Sequence, residues 1–180
     1  PNQFFAESIS KLPGNGKILF PAEGEGRNAV FAARNGFEVF AFDTSIEGKK
    51  KADKLANDNG VKIDYRVGIL EELDFEPASF DGVVFIYSHF PKVIRATIHH
   101  QIEQLLKPNG VIIFEAFSKE QLQYPSGGPK DLEMLFSEEE VKEEFKNIAF
   151  DFLKTEIIKL NEGPFHQGKG SVIRFIGKKK

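Results

Sequence analysis

The sequence predicts an α/β fold, a three-layer doubly wound sheet of seven strands that is mostly parallel and closes with an antiparallel C-terminal hairpin strand. Three observations predict it. Short apolar runs alternate with helix-period segments between Lys17 and Phe117. The first run enters its helix through a glycine loop, Glu23-Gly24-Glu25-Gly26. The last two apolar runs are joined by a glycine-rich connection with no helix in it, which makes a hairpin rather than a crossover.

Each element has its own reason. Phe4, Phe5, Ile9 and Leu12 fall near helical spacing and predict a short amphipathic helix ending at Pro13-Gly14. Lys17 to Pro21 reads as the first strand, and Gly26 to Arg34 as a helix stopped by Asn35-Gly36. Phe37 to Phe42 is the second strand, with Asp43 at its end. Ile46 to Asn59 is a helix capped by Gly60, and its lysines (Lys49, Lys50, Lys51, Lys54) read as a solvated face. Val61 to Val67 alternates as a third strand, and Gly68-Ile69-Leu70 turns off its end. Phe80 to Ile86 is nearly all apolar after Gly82, as expected of a strand covered on both faces. Lys92 to Lys107 is an amphipathic helix, and Pro108-Asn109-Gly110 turns it into the strand Val111 to Phe117. Ser118 to Phe136 reads as irregular. Ser137 and Glu140 make a capping box for a helix to about Asn147. Ile148 to Leu160 and Gly170 to Gly177 form the closing hairpin.

Composition narrows the function classes. The 180 residues suit one domain, 1–180. There is no Cys, which excludes disulfides, cysteine nucleophiles and thiolate metal sites. Net charge is −3, and the one basic cluster is Lys178-Lys179-Lys180, so no nucleic-acid partner is expected. No apolar run approaches the ~20 residues of a membrane span. The expectation is a cytoplasmic domain with no membrane partner, a monomer or weak homodimer. The chain begins at Pro1 rather than Met, so a few N-terminal residues are expected to be missing.

The glycine loop carries the chemistry. Gly24-Glu25-Gly26-Arg27-Asn28-Ala29 fits G-x-G-x-x-A, and Asp43 lies 19 residues beyond Gly24, near the offset of an acid that takes ribose hydroxyls. Glu23 and Glu25 would repel a pyrophosphate but suit a ligand with a cationic sulfonium and ammonium. The local charge therefore favours S-adenosylmethionine over NAD. Helix-dipole complementation by solvent-facing glutamates is the plainer alternative.

With these motifs in place, the chain resembles a class I S-adenosylmethionine-dependent methyltransferase, close to the small tellurite-resistance type. Glu23 to Asn28, Asp43-Thr44-Ser45, Phe80-Asp81, Leu106 to Gly110 and the final hairpin from Glu162-Gly163 to His166-Gln167-Gly168-Lys169 carry the likeness over about Lys17 to Lys180. It implies a Rossmann-like methyltransferase fold, S-adenosyl-L-methionine as cofactor and a small-molecule methyl acceptor. It places the cofactor on Ala22, Glu23, Gly24, Glu25, Gly26, Asn28, Asp43, Thr44, Ser45, Gly68, Ile69 and Leu70, with Phe85, Ile86, Tyr87 and Ser88 as the wall after the fourth strand. The chain departs from the family at Phe20-Pro21-Ala22, where an acid and a glycine are usual, and at Ile69, where an acid or asparagine is common. Relatives also carry a segment before Pro1 that helps cover the ligand. No metal is expected. His89 and His166 are the candidate bases. His99 and His100 are expected on the surface, far from the crevice. Arg27, Tyr124, Lys130 and Arg174 could meet an anionic acceptor. An NAD-dependent oxidoreductase and a non-catalytic cofactor-binding domain are the other readings.

Overall fold

A computed structural model describes residues 1–162 and 167–180. Its sheet comprises β1 (Lys17–Pro21), β2 (Glu38–Asp43), β3 (Asp64–Val67), β4 (Phe80–Ile86), β5 (Leu106–Phe117), β6 (Ile148–Asn161) and β7 (Gln167–Lys179). The order is β3-β2-β1-β4-β5-β7-β6. The first five strands pair in parallel, and β7 runs antiparallel to both β5 and β6. The helices are α1 (Gln3–Ser8), α2 (Arg27–Arg34), α3 (Ile46–Asp58), α4 (Lys92–Leu105) and α5 (Glu138–Glu144).

Alternation along the strands explains the continuous apolar runs. Ile18, Phe20, Val84 and Ile86 pack with Phe4 and Phe5 of α1, Ala29 and Ala32 of α2 and Ala52 of α3. Their neighbours Leu19, Val83 and Phe85 point the other way, onto Ile98 and Ile102 of α4 and Val141 of α5. Each central strand is thus apolar on both sides because helices cover both. The strand order reverses between β1 and β4. That places a crevice at their C-terminal ends, where doubly wound sheets bind ligands.

Several boundaries shift for identifiable reasons. The third strand begins at Asp64, not Val61. The Val61 N–H donates to the Ala56 carbonyl and the Gly60 N–H to that of Asn57, which closes α3 in a Schellman motif and takes Val61 out of the ladder. The hairpin strands run further than expected, pairing up to Asn161 with Gln167. Gly168, read as loop, is a ladder position opposite Leu160, and at Gly170, the first residue of the expected strand, a Cβ would stand 2.6 Å from Leu160. α4 ends at Leu105, two residues early, and α5 at Glu144, with Phe145 buried at its end. The capping box at Ser137 and Glu140 is present. His100 is exposed as expected, but His99 is fully buried. Its ring stacks on Phe145 at 4.6 Å, and its Nδ1 bonds Glu144, so its helix turn faces the core. Among the described residues, no helix is long and apolar enough to cross a membrane.

Candidate functional site

The loop after β1 is built from unusual backbone. Ala22, Gly24 and Gly26 all have positive φ, at 49°, 64° and 82°. Gly26 must lack a side chain, because a Cβ there would sit 2.5 Å from the Ala52 Cβ of α3. Gly26 is also the residue that caps α2, so α2 has no side-chain cap of its own. Glu23 supplies it. Its Oε1 accepts the N–H groups of Asn28 and Ala29, both at 2.8 Å. Burial pushes the Glu23 carboxyl up to about 7, against the pull of those two N–H groups and of Arg27.

This geometry corrects the electrostatic reasoning from the sequence. Glu23 does complement the helix start, but it does so from inside, turned away from solvent. Glu25 is exposed and paired with Lys51 at 2.5 Å. The other lysines of α3 likewise form exposed pairs, with Asp53, Glu47 and Asp58. Neither glutamate is among the residues lining the cavity described below, so the charge of the loop does not by itself select a cationic ligand.

Asp43 locks the second strand to the loop. Its Oδ2 accepts the Gly24 N–H at 3.0 Å and its Oδ1 that of Ser45 at 2.9 Å. The Tyr65 hydroxyl donates to the Gly24 carbonyl at 2.5 Å. Burial first, then the Asp43 charge, pushes that phenol well above the ordinary tyrosine range, which keeps it a donor. Ser45 caps α3 through the Gly48 N–H.

A cavity of about 530 Å³ opens beside this loop. From the predicted residues it takes Ala22, Asp43, Thr44, Gly68, Ile69, Leu70 and His89. It adds Phe42, Glu71, Phe90, Pro91, Ile94 and Ile98, which sequence reasoning did not assign to a site. A signal for the last four existed: β4 feeds α4 at the same crevice, and Ile94 and Ile98 stand four apart on its inner face. Glu71 had no such signal.

The remaining predicted residues lie elsewhere. Gly24, Gly26 and Asn28 form the loop and helix start, and the Asn28 side chain accepts the Asn2 N–H at 2.8 Å. Phe85 lies in the core against His99, Phe114 and Phe145. Ile86 is buried on the opposite sheet face. Tyr87 leaves β4 with φ 53°, donates its N–H to the Glu115 carbonyl at 2.8 Å and stacks on Phe117 at 4.6 Å. The Ser88 hydroxyl donates to the Pro21 carbonyl at 2.7 Å, joining the ends of β4 and β1. Arg27 pairs with Glu162, and Arg174 with Glu115 and Glu156. His166 lies outside the described residues.

The residues present fit S-adenosylmethionine. A carboxylate offers about four lone-pair positions, and Asp43 spends only two on backbone, so both oxygens keep capacity for a ribose diol. Ile69, Leu70, Phe90, Ile94 and Ile98 give the cavity the apolar walls an adenine ring needs. Gly24 faces open space where a Cβ would stand, so the backbone can approach a ligand.

A family model described as a methyltransferase domain matches residues 18–110. Ubiquinone biosynthesis O-methyltransferase of Rickettsia conorii is 31% identical over 124 residues, 68% of this chain and 40% of that protein. The Xanthomonas campestris protein of the same name is 32% identical over 111 residues, 60% of this chain and 45% of that one. The chain thus spans less than half the length of these curated relatives. Among solved structures, a SAM-dependent methyltransferase of Methanosarcina mazei superposes with a TM-score of 0.77 at 18% identity, covering 95% of both chains. TehB of Haemophilus influenzae gives 0.77 at 16%, covering 98% of this chain and 61% of that one. At such identities these structures share the fold. With the family model matching just over half of its length, the chain belongs to the methyltransferase domain family, the S-adenosylmethionine-dependent class that its loop and strand motifs resemble.

Proposed function

We propose that this domain moves a methyl group from S-adenosylmethionine to a hydroxyl oxygen of a small-molecule acceptor, with His89 as general base. One observation carries the reading: Asp43 and His89 face a single cavity, from the ends of β2 and β4. The names of the curated relatives, both O-methyltransferases, support oxygen as the acceptor atom.

When bound, the cofactor supplies a methyl group already activated by its sulfonium. The chain's own residues then have three tasks. Asp43 accepts hydrogen bonds from the ribose hydroxyls, held in place by the Gly24 and Ser45 N–H groups. The apolar walls exclude water from the transfer. His89 takes the acceptor's proton. Its Nδ1 lies 2.8 Å from the Met134 carbonyl. A carbonyl only accepts, so Nδ1 carries the hydrogen and Nε2 is the basic nitrogen. With cofactor and acceptor bound, the acceptor oxygen would bond the methyl carbon as the sulfur–methyl bond breaks and its electron pair stays on sulfur. The released proton would pass to Nε2, which is covered in this structure and has to be opened to the cavity as the acceptor binds. His166 is the second candidate base, on the likeness of the final hairpin alone.

Calorimetric titration with S-adenosylmethionine, S-adenosylhomocysteine and NAD tests the cofactor. Micromolar binding of the first two without the third is expected. A panel of phenols, thiols and amines with labelled cofactor tests the acceptor atom. Transfer to phenols, reduced about 100-fold or more in His89→Gln, is the expected result for a general base. Transfer unaffected by His89→Gln refutes the assignment of His89, and cofactor binding with no transfer to any acceptor favours a non-catalytic binding domain.

A further inference from the structure

We propose that Arg95, on the first turn of α4, is a positioning residue that holds the backbone of Glu133 to Leu135 so that the Met134 carbonyl fixes the ring of His89. The inference rests on the reading of His89 as general base and adds to it a residue that touches neither cofactor nor acceptor.

Arg95 has no exposed surface. Its Nη1 donates to the Glu133 carbonyl at 3.3 Å and to the Leu135 carbonyl at 3.1 Å. Between those two carbonyls lies that of Met134, which accepts from His89 Nδ1 at 2.8 Å. Three successive carbonyls are therefore held by two side chains, the outer pair by Arg95 and the middle one by His89. The guanidinium also lies 4.2 Å from the centre of the Phe136 ring. Its other edge is anchored in α5, with Nε 2.8 Å and Nη2 2.7 Å from Glu144 Oε1. Glu144 Oε2 in turn bonds His99 Nδ1 at 2.8 Å.

The segment is tied at its C-terminal end, where Leu135 and Phe136 are buried and Phe136 bonds the backbone of Phe117 and Lys119, while Arg95 and His89 hold its carbonyls. It is one 3-10 turn, Leu132–Met134, with Leu132 half exposed. Its own bonds among the described residues are the Glu133 N–H to the Asp131 side chain, the Met134 N–H to the Asp131 carbonyl and the Leu135 N–H to the Leu132 carbonyl. A lysine would bring one point charge and could not span both outer carbonyls as a planar fork does. A buried ion pair made only for packing could be exchanged for apolar groups without consequence at a distance. Here the same exchange would release the group that sets which nitrogen of His89 is basic.

The test reads the imidazole nitrogens directly. The chain has four histidines, so long-range proton–nitrogen NMR resolves each ring, with His→Gln variants for assignment. His89 in the wild type is expected as the Nδ1–H tautomer. In Arg95→Met/Glu144→Gln both buried charges are removed together, which protects folding, and the amide oxygen introduced by Glu144→Gln still accepts from His99. There, and more weakly in Arg95→Lys, His89 is expected to shift toward the Nε2–H form. Turnover should fall about 10-fold with cofactor affinity within two-fold of the wild type. An Nε2–H tautomer in the wild type overturns the proposal without any variant. So does an unchanged His89 signal in a folded Arg95 variant. Should His89→Gln leave turnover intact while the Arg95 variants still change the tautomer, the positioning role stands and the general-base role of His89 falls.

Discussion

Glu23→Gln offers a direct test of the buried cap. Glutamine keeps an Oε1 acceptor for the Asn28 and Ala29 N–H groups and removes the charge. In the wild type, burial raises the carboxyl from 4.5 to about 7. Two N–H donors and the helix start favour the charged form, yet desolvation outweighs them. The native state therefore binds more protons than the unfolded chain between those two values. The stabilising contribution of protonated Glu23 is complete below pH 4.5 and is lost as pH rises through 7. At about 1.36 kcal/mol per pKa unit, the full loss is about 3.4 kcal/mol, of which about 2.5 falls between pH 5 and 8. Urea denaturation of both proteins at pH 5, 6, 7 and 8 measures it. Relative to wild type, Glu23→Gln should gain about 2.5 kcal/mol across that range, roughly 1 M in midpoint for an m-value of about 2.5 kcal/mol/M. Parallel curves for the two proteins would refute the reasoning, since they would mean that the carboxylate is solvated or better satisfied than its two N–H partners allow.

Three further outcomes follow from the same geometry. Gly26→Ala sets a Cβ 2.5 Å from that of Ala52 at a φ of 82°; it should destabilise by roughly 2 kcal/mol or more and weaken cofactor binding, by thermal melting and calorimetry. Asp43→Ala removes the acceptor of the Gly24 and Ser45 N–H groups and should cost about 10- to 100-fold in S-adenosylmethionine affinity; unchanged affinity would remove the ribose from this position. His99→Gln tests the buried imidazole. Burial lowers its pKa despite the Glu144 bond, so its stabilising contribution is full above the ordinary histidine value of about 6.5 and is lost as pH falls toward the lowered one. Against the wild type, the variant should lose less stability on going from pH 7 to 5, read from melting temperatures.

The sheet was legible because each of its signals is local. Apolar runs, the Asn35-Gly36 and Asn59-Gly60 stops and the Ser137 capping box depend on neighbours a few residues away. The crevice followed from topology, and Ala22, Asp43, Thr44, Gly68, Ile69, Leu70 and His89 meet at one cavity for that reason. What escaped the sequence depends on distance. Glu23 reads as an exposed loop acid until Gly26 is seen pressed on Ala52, which leaves α2 to be capped from three residues upstream. His99 reads as a polar residue on a helix until Glu144, 45 residues later, turns out to accept its Nδ1 hydrogen. Arg95 shows no motif at all, since its partners are two backbone carbonyls 38 and 40 residues on and a carboxylate, Glu144, 49 residues on. Gly168 misleads for a different reason: it reads as part of a turn but is a ladder position opposite Leu160.

The chain has no tryptophan and only three tyrosines, at 65, 87 and 124. Two of them stand where the loop and the crevice are built: Tyr65 hydrogen-bonded to the Gly24 carbonyl, and Tyr87 at the end of β4. Tyrosine is therefore the longest-wavelength emitter in this sequence, and Tyr65 reports on the glycine loop to which it is bonded. An unlabelled sample carries its own optical reporter of occupancy, and a Tyr124→Phe variant would leave a probe made only of those two rings.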